Sequence, residues 1–405
     1  VKHIAVIGGG ASGLMAACFA CGESREVVLF EKQKKLGRKI LVTGNGRCNI
    51  SNRFIDPVRY HGKNPLFVNN VFARFSPDDT EKFFLSIGIP FREGKDGKLY
   101  PASLQASAVV SALEYEVHRR GADVRLHRRI DRIEQKGAKF LLVTAGKEES
   151  VFDAVILAAG SCAYSPVGAS KIGYALAESL QHRVVPCFPA ILPLNILEKN
   201  IRRLQGMKWD CGVAVVHNGA VVARSEGELL FTGYGLSGPA ALEVSRAANE
   251  LVLRGEVPDI TVDFYPEQSE DDLSATIEGL LSDGGKTLAF ALSGIMNERL
   301  PRVLGEFAGV DMEKKASRVS RAEKKALVKV LKHLTLTSGG PRDFSEAVIA
   351  AGGVDVSEIN PATMESKKVK NLYITGELLD IDGDSGGFNL QFAWSTGALA
   401  GMAQH

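Results

Sequence analysis

Short apolar runs separated by glycine-rich turns organise the start of the chain. His3–Ile7 (HIAVI) reads as a buried strand, and Ala11–Ala20 has the composition of a helix. Val27–Phe30 (VVLF) is a second apolar run, closed by Glu31. Together they predict a βαβ unit. Residues 32–63 read as loop. Residues 66–90 and 103–120 read as helical, with a hairpin-like GKDGK inside Glu93–Tyr100 between them. Strands are expected at Ala122–Glu134, at Lys139–Thr144 and over 151–160, the last leading into a loop. Lys171–Leu180 is a further helix.

After Pro186 the texture changes. Short β-rich runs (Cys211–Val216, Ala220–Arg224) and a Gly-rich segment, Phe231–Pro239, mark a separate, mainly β region. Residues 267–283 hold six acids and no Lys or Arg, whereas 313–333 hold eight Lys/Arg against Glu313 and Glu323. Both stretches look helical, and a charge run of this kind serves equally as a solvated helix face. Gly-rich texture returns from Ala347, with LYITG at 372–376 and a turn opening a helix at about 389–403. The expected fold class is α/β. A Rossmann-like dinucleotide-binding domain is built from both chain ends (1–188 and 347–405). A β-barrel-like insert (189–264 and 334–346) and a small helical insert (265–333) interrupt it.

Composition narrows the classes. With 45% hydrophobic and 24% charged residues the chain is not disordered, and a formal net charge of +2 forces no nucleic-acid or membrane reading. Six cysteines in 405 residues fit a reducing compartment better than a disulfide scaffold. No apolar run reaches the ~18–20 residues of a membrane helix. Gly8–Gly10 interrupt the apolar start that would otherwise resemble a signal peptide, so a cytoplasmic location is expected.

The chemistry begins at Gly8, Gly10 and Gly13, a G-x-G-x-x-G directly after a strand. Gly8 permits the tight turn, Gly10 lets a pyrophosphate approach the backbone, and Gly13 allows close helix–strand packing. The helix start, Ala11, Ser12 and Gly13, offers free N–H groups and a positive dipole end. Glu31 is placed to accept ribose hydroxyls and disfavours a 2′-phosphate, so FAD or NAD is preferred to NADP at this site. The late LYITGE and GGFNLQFAW segments decide for FAD. Gly376 and Glu377 fall near the pyrophosphate and ribityl chain. Gly386 and Gly387 let backbone N–H groups approach the flavin, and the helix opening through Phe388, Asn389 and Leu390 points its positive end at it. The strand VILAAG carries Ala159 and Gly160 past the dinucleotide. Lys32, Gly46, Ile130 and Asp382 complete the candidate cofactor contacts, and Arg38, Lys39 and Arg47 are candidates to neutralise the pyrophosphate. No metal site is read: Cys18 and Cys21 sit at helical spacing without partners.

These residues, in this order, resemble the YhiN-like, BaiN/RdsA-type family of NAD(P)/FAD-dependent oxidoreductases. The resemblance is carried by GGGASG (8–13), KLGRKILVTGNGRCNISN (35–52), ILAAGS (156–161), GELLFTGYGLSGPAALEVSR (227–246) and the block 352–397. It implies an FAD domain with two inserts and reduction of carbon–carbon double bonds, either in unsaturated 3-oxo bile acids or in uridine of large-subunit ribosomal RNA. The family's usual Gly-Gly-Gly-Arg-Cys-Asn reads Gly44-Asn45-Gly46-Arg47-Cys48-Asn49 here. Its aromatic pair appears as Phe388 and Phe392.

A flavin reductase needs a proton donor. Cys48, with Arg47 next to it to favour thiolate, is the first candidate, against the alternative of a small buried residue in a turn. Tyr234 in the Gly-rich insert segment is the second, against a loop-packing aromatic. The histidines show no readable spacing. The expected function is FAD-dependent C=C reduction with NAD(P)H as transient electron donor. Of the substrate classes, ribosomal RNA is the one the basic stretches 32–63 and 313–333 point toward. The alternatives are a small unsaturated 3-oxo molecule in a closed apolar pocket, and a non-catalytic flavin-binding sensor or scaffold.

Overall fold

The computed structural model describes residues 1–405, which divide into two compact units: Val1–Phe188 with Val348–His405, and Pro189–Ala347. In the first unit β1 (Lys2–Ile7), α1 (Ala11–Ala20) and β2 (Arg25–Phe30) form the βαβ start. Five parallel strands make its main sheet, in the order Leu372–Ile374, Ala154–Leu157, β1, β2, Asp123–Arg125. A strand from residue 372 thus lies in the same sheet as the first residues of the chain. Parallel sheets are covered on both faces, which is why β1 and Ala154–Leu157 are nearly or wholly buried apolar runs.

Helix α1 is buried almost all round and packs on the C-terminal helix Phe388–Met402. The two backbones approach closely because the contact is glycine-lined. A side chain at Gly397 would strike the Ser12 carbonyl, and one at Gly401 the Ala16 carbonyl.

Four predicted elements are divided differently in the structure. The run 122–134 splits into Asp123–Arg125, in the parallel sheet, and Ile130–Lys136, in a three-stranded antiparallel sheet with Lys139–Thr144 and Glu149–Phe152. The split occurs where the chain folds back on the end of β2: Arg128 N donates to Glu31 O (2.9 Å) and His127 takes a left-handed φ of 56°. The run 151–160 breaks at Asp153, whose carboxylate accepts the His3 N–H (2.8 Å). Residues 66–90 form two helices, Phe67–Phe72 and Pro77–Ser86. The second starts at a Ser76/Asp79 capping box with Pro77 in its first turn. The loop 32–63 contains a short helix, Arg38–Val42.

The second unit holds a six-stranded antiparallel sheet in the order Leu194–Asn195, Gly235–Ser237, Ala220–Phe231, Lys208–His217, Asp259–Asp263, Leu334–Thr337. An antiparallel bridge, Ile196 to Ser338, joins the ends of its two outermost strands. Helices Glu270–Leu280, Leu288–Leu292, Leu300–Ala308 and Arg321–Lys332 fill residues 265–333. They share one continuous core with the sheet: Val213, Val215, Ile260 and Val262 belong to the same apolar cluster as Leu273, Ile277, Leu304, Leu327 and Leu331. No helix in either unit is long and apolar enough to cross a membrane.

Candidate functional site

The turn from β1 into α1 shows what each glycine does. A Cβ on Gly8 would enter the Ala158 carbonyl, and one on Gly13 would enter the Gly8 carbonyl, so both are fixed by the protein's own packing. Gly10 is different. Its backbone is extended (φ −85°, ψ −164°) and a Cβ there would meet nothing within 4 Å. Neither strain nor crowding within the protein asks for glycine at this position. The open space in front of Gly10 is a cradle that a side chain would fill; space is open in front of Gly160 on the neighbouring loop too, although its left-handed φ of 70° already asks for glycine.

Two helix starts face this need for a partner. Neither α1, headed by Gly10, nor Phe388–Met402, headed by Gly387, has a side-chain cap. Ser or Thr caps the helices Pro77–Ser86, Glu270–Leu280, Leu288–Leu292 and Arg321–Lys332, whereas Ala106–Arg119, Ile172–Ser179, Pro239–Leu253 and Leu300–Ala308 also lack a side-chain cap. The uncapped N–H groups of Ala11–Gly13 and Phe388–Leu390 suit anionic or acceptor groups. Gly387 has a left-handed φ of 105°, and a Cβ there would hit the Ser51 carbonyl. That fixes the Ser51–Asn52 strand against the start of the second helix. Beside it, the buried Asn49 Oδ1 has no hydrogen-bond partner. An orphan acceptor, two uncapped helix starts and two open glycines fit a dinucleotide carrying a flavin.

The other expected contacts surround this cradle. Glu31 is aimed by two backbone donors, Gly9 N–H (2.8 Å) and Gln33 N–H (2.7 Å). Past it, a cleft of about 400 Å³ is lined by Lys32, Gln33, His127 and Arg129, next to the buried Ile130. Lys32 donates to Ser170 Oγ (2.6 Å), and burial lowers its pKa. Gly376 N–H donates to Thr396 Oγ1 (3.0 Å), and Gly376 packs on Ser12 beside the α1 start. The Asn389 side chain is spent on its own turn, bonding Gly383 N and O (2.8 and 2.6 Å). The Phe388 ring meets Tyr60 edge-on at 6.0 Å, and Gly386 O accepts from Asn52 Nδ2 (2.9 Å).

Three expected cations already have protein partners. Lys39 pairs with Glu377 (2.6 Å), Arg38 donates to Gln33 Oε1 (2.6 Å) and Pro166 O (3.2 Å), and Arg47 lies over the Tyr100 ring at 6.0 Å. The expectation that Arg47 activates Cys48 is therefore corrected. Cys48 is wholly buried, and burial pushes its thiol up to about 12 against a hydrogen bond with Thr43. Three consecutive left-handed residues, Gly44, Asn45 and Gly46, turn the chain so that neighbours in sequence point apart. Tyr234 lies in the second unit, under the Arg342 guanidinium at 3.8 Å; Glu346 holds that guanidinium in a bidentate pair (2.8 and 2.7 Å).

One pair was invisible to sequence reasoning. His61 Nε2 lies 2.6 Å from Asp384 Oδ1, and Arg59 holds the other carboxylate oxygen at 3.0 Å. Strand Tyr60–His61 pairs with Asp382–Gly383, placing the buried Asp382 opposite His61, five residues before Gly387. A separation of 323 residues leaves no local signal for such a pair.

The family model for the HI0933-like protein Rossmann domain matches residues 2–403. The chain belongs to this family. It is a Rossmann-fold oxidoreductase of the flavoprotein type. Among curated relatives, it is 36% identical to a 3-dehydro-bile acid delta(4,6)-reductase of Clostridium scindens, over all of this chain and 99% of that protein. It is 31% identical to the ribosomal RNA dihydrouridine synthase of Escherichia coli, over 96% of this chain and 95% of that one. Among solved structures, a 3-ketosteroid-delta4-(5alpha)-dehydrogenase of Rhodococcus jostii aligns with all of this chain and 97% of its own at 12% identity and a TM-score of 0.49.

Proposed function

We propose that this protein is an FAD-dependent reductase of a carbon–carbon double bond conjugated to a carbonyl group, with NAD(P)H as the transient electron donor in the cytoplasm. The observation that carries the reading is the uncapped, glycine-lined cradle, and above all the unobstructed face of Gly10. The bound flavin supplies hydride chemistry. Ala11, Ser12 and Gly13 hold the pyrophosphate through backbone N–H groups, and Glu31 takes the ribose hydroxyls. The start of the helix at Phe388–Leu390 favours negative charge on whatever it faces, lowering the cost of adding electrons there. Lys39 and Glu377 fix each other, and with them the Gly376 turn, rather than contacting phosphate directly. The Pro189–Ala347 unit is read as a barrel-like module, which the Ile196–Ser338 bridge between its outer strands supports.

The substrates named for the two relatives share one chemical feature. A Δ4 double bond beside a 3-oxo group and the 5,6 bond of uracil are both conjugated to a carbonyl, so hydride adds at the far carbon and a proton at the near one. The first reading of the substrate is a small unsaturated 3-oxo compound. Greater identity to the bile-acid enzyme supports it, and much of the basic stretch 32–63 is used internally: Arg38, Lys39, Arg53 and Arg59 all have protein partners. A second reading, uridine in large-subunit ribosomal RNA, draws on the exposed residues Lys315, Arg318, Arg321, Lys325 and Lys329, on or beside the Arg321–Lys332 helix.

The test is rapid mixing. Flavin in the purified protein is reduced anaerobically with NADH or NADPH, then mixed with a 4,6-dien-3-one steroid, or with ribosomal RNA followed by dihydrouridine assay. Reoxidation by one acceptor identifies the substrate class. A flavin reoxidised by oxygen alone overturns the reading in favour of a sensor or scaffold.

A further inference from the structure

Adding hydrogen across a conjugated double bond consumes a proton, and Cys48 is a poor source of it. Its thiol is buried, with a pKa near 12, and gives no route for reprotonation. The cradle has another acid at its edge. The short ladder Tyr60–His61 with Asp382–Gly383 runs directly into the Gly386–Gly387 turn that opens the C-terminal helix. Asn389 ties this turn to the same ladder through Gly383 O (2.6 Å) and Asp384 O (3.2 Å). Whatever occupies the start of that helix therefore has His61 anchored beside it.

We infer that His61, oriented by Asp384, is the general acid that protonates the substrate; this rests on the reductase reading above. Asp384 Oδ1 at 2.6 Å from Nε2 fixes the ring and accepts its N–H, so the proton to be given is the one on Nδ1. The His61 side chain is 33% exposed, so water can restore the proton after each cycle. The charged surroundings are mixed. Arg59 shares the Asp384 carboxylate (3.0 Å), Asp382 stands opposite in the ladder, and Asp380 accepts the Lys63 N–H (3.2 Å). In the completed step the π bond breaks and two C–H bonds form. One takes a hydride, whose electron pair comes from NAD(P)H; the other takes the proton from Nδ1. Asp384 is a positioning residue, since it acts through the imidazole.

The experiment separates the two half-reactions. In His61→Gln the flavin stays bound and its reduction by NAD(P)H stays near the wild-type rate, while reoxidation by a 4,6-dien-3-one steroid slows by about 10²–10⁴-fold. Independently of turnover, Asp384→Asn displaces the His61 C2–H proton signal at fixed pH, because the ring loses its anchor. Wild-type reoxidation by the steroid in His61→Gln overturns the assignment, as does an unmoved His61 signal in Asp384→Asn. If His61→Gln fails to retain flavin, the wild-type pH profile decides. A reoxidation rate that falls above the pH at which the His61 signal titrates supports the role, and one indifferent to that pH refutes it. A wild-type flavin that passes electrons neither to the steroid nor to ribosomal RNA defeats the reductase reading itself, and this role with it.

Discussion

Replacing Gly10 by alanine adds one methyl group where the protein offers no obstacle. The backbone there is extended, at φ −85° and ψ −164°, and the new Cβ meets nothing within 4 Å. Losing glycine's freedom in the unfolded chain then stabilises the flavin-free protein by about 0.4–1 kcal/mol. The same methyl projects into the space assigned to the pyrophosphate. Overpacking of this size costs about 1–3 kcal/mol. At 1.4 kcal/mol per factor of ten, the FAD Kd rises about 5- to 150-fold. Stability and affinity therefore move in opposite directions. Gly13→Ala is the contrasting control, because its methyl runs into the Gly8 carbonyl and both quantities fall. The assays are urea unfolding of flavin-free protein and titration with FAD followed by quenching of flavin fluorescence. A Gly10→Ala protein with wild-type FAD affinity refutes the placement of the cofactor. One whose flavin-free form is destabilised by more than about 1 kcal/mol refutes the description of the turn.

Three further outcomes are expected. Cys48→Ala keeps steroid or RNA turnover within about threefold of wild type and costs about 1 kcal/mol in stability, measured by steady-state rates and urea unfolding, because the thiol is packing rather than acid. His182, buried between Glu358 (3.0 Å) and Ser366 (2.9 Å), has its pKa lowered below 6.5 by burial, against the pull of Glu358. A lowered histidine pKa gives stability that is complete above 6.5 and lost as pH falls through the folded value. Urea unfolding at pH 7.5 and 5.5 therefore shows a drop that His182→Gln flattens. If the RNA reading holds, Arg321→Glu, Lys325→Glu and Lys329→Glu together reduce the salt slope of ribosomal RNA binding by about 2–3; an unchanged slope removes that reading.

The sequence was most informative where one short segment carries the whole instruction. The β1–α1 turn and Glu31 lie within thirty residues, and each glycine there answers to a local geometric demand. Sheet membership was less legible. Residues 151–160 read as a single apolar run, yet Asp153 hands its two halves to different sheets through its bonds to His3, a partner 150 residues away. Charge gave a similar lesson. Arg47 adjoins Cys48 in the chain but turns to Tyr100, and Arg59 belongs to Asp384. The helices of 265–333 differ in texture from the neighbouring strands, but texture does not say that both pack into one core. The histidines had no pattern because their partners, Asp384 for His61 and Glu358 with Ser366 for His182, arrive only on folding.

The glycine-lined contact between α1 and Phe388–Met402 also sets a timetable for biosynthesis. A ribosome makes α1, apolar on every side, hundreds of residues before the helix that covers it. Until then the nascent amino-terminal segment carries an uncovered greasy surface, and its half of the cofactor cradle has no counterpart. Flavin loading is thus deferred to the last moments of synthesis, and a product stopped short of residue 388 is a client for chaperones and proteases rather than a weak enzyme.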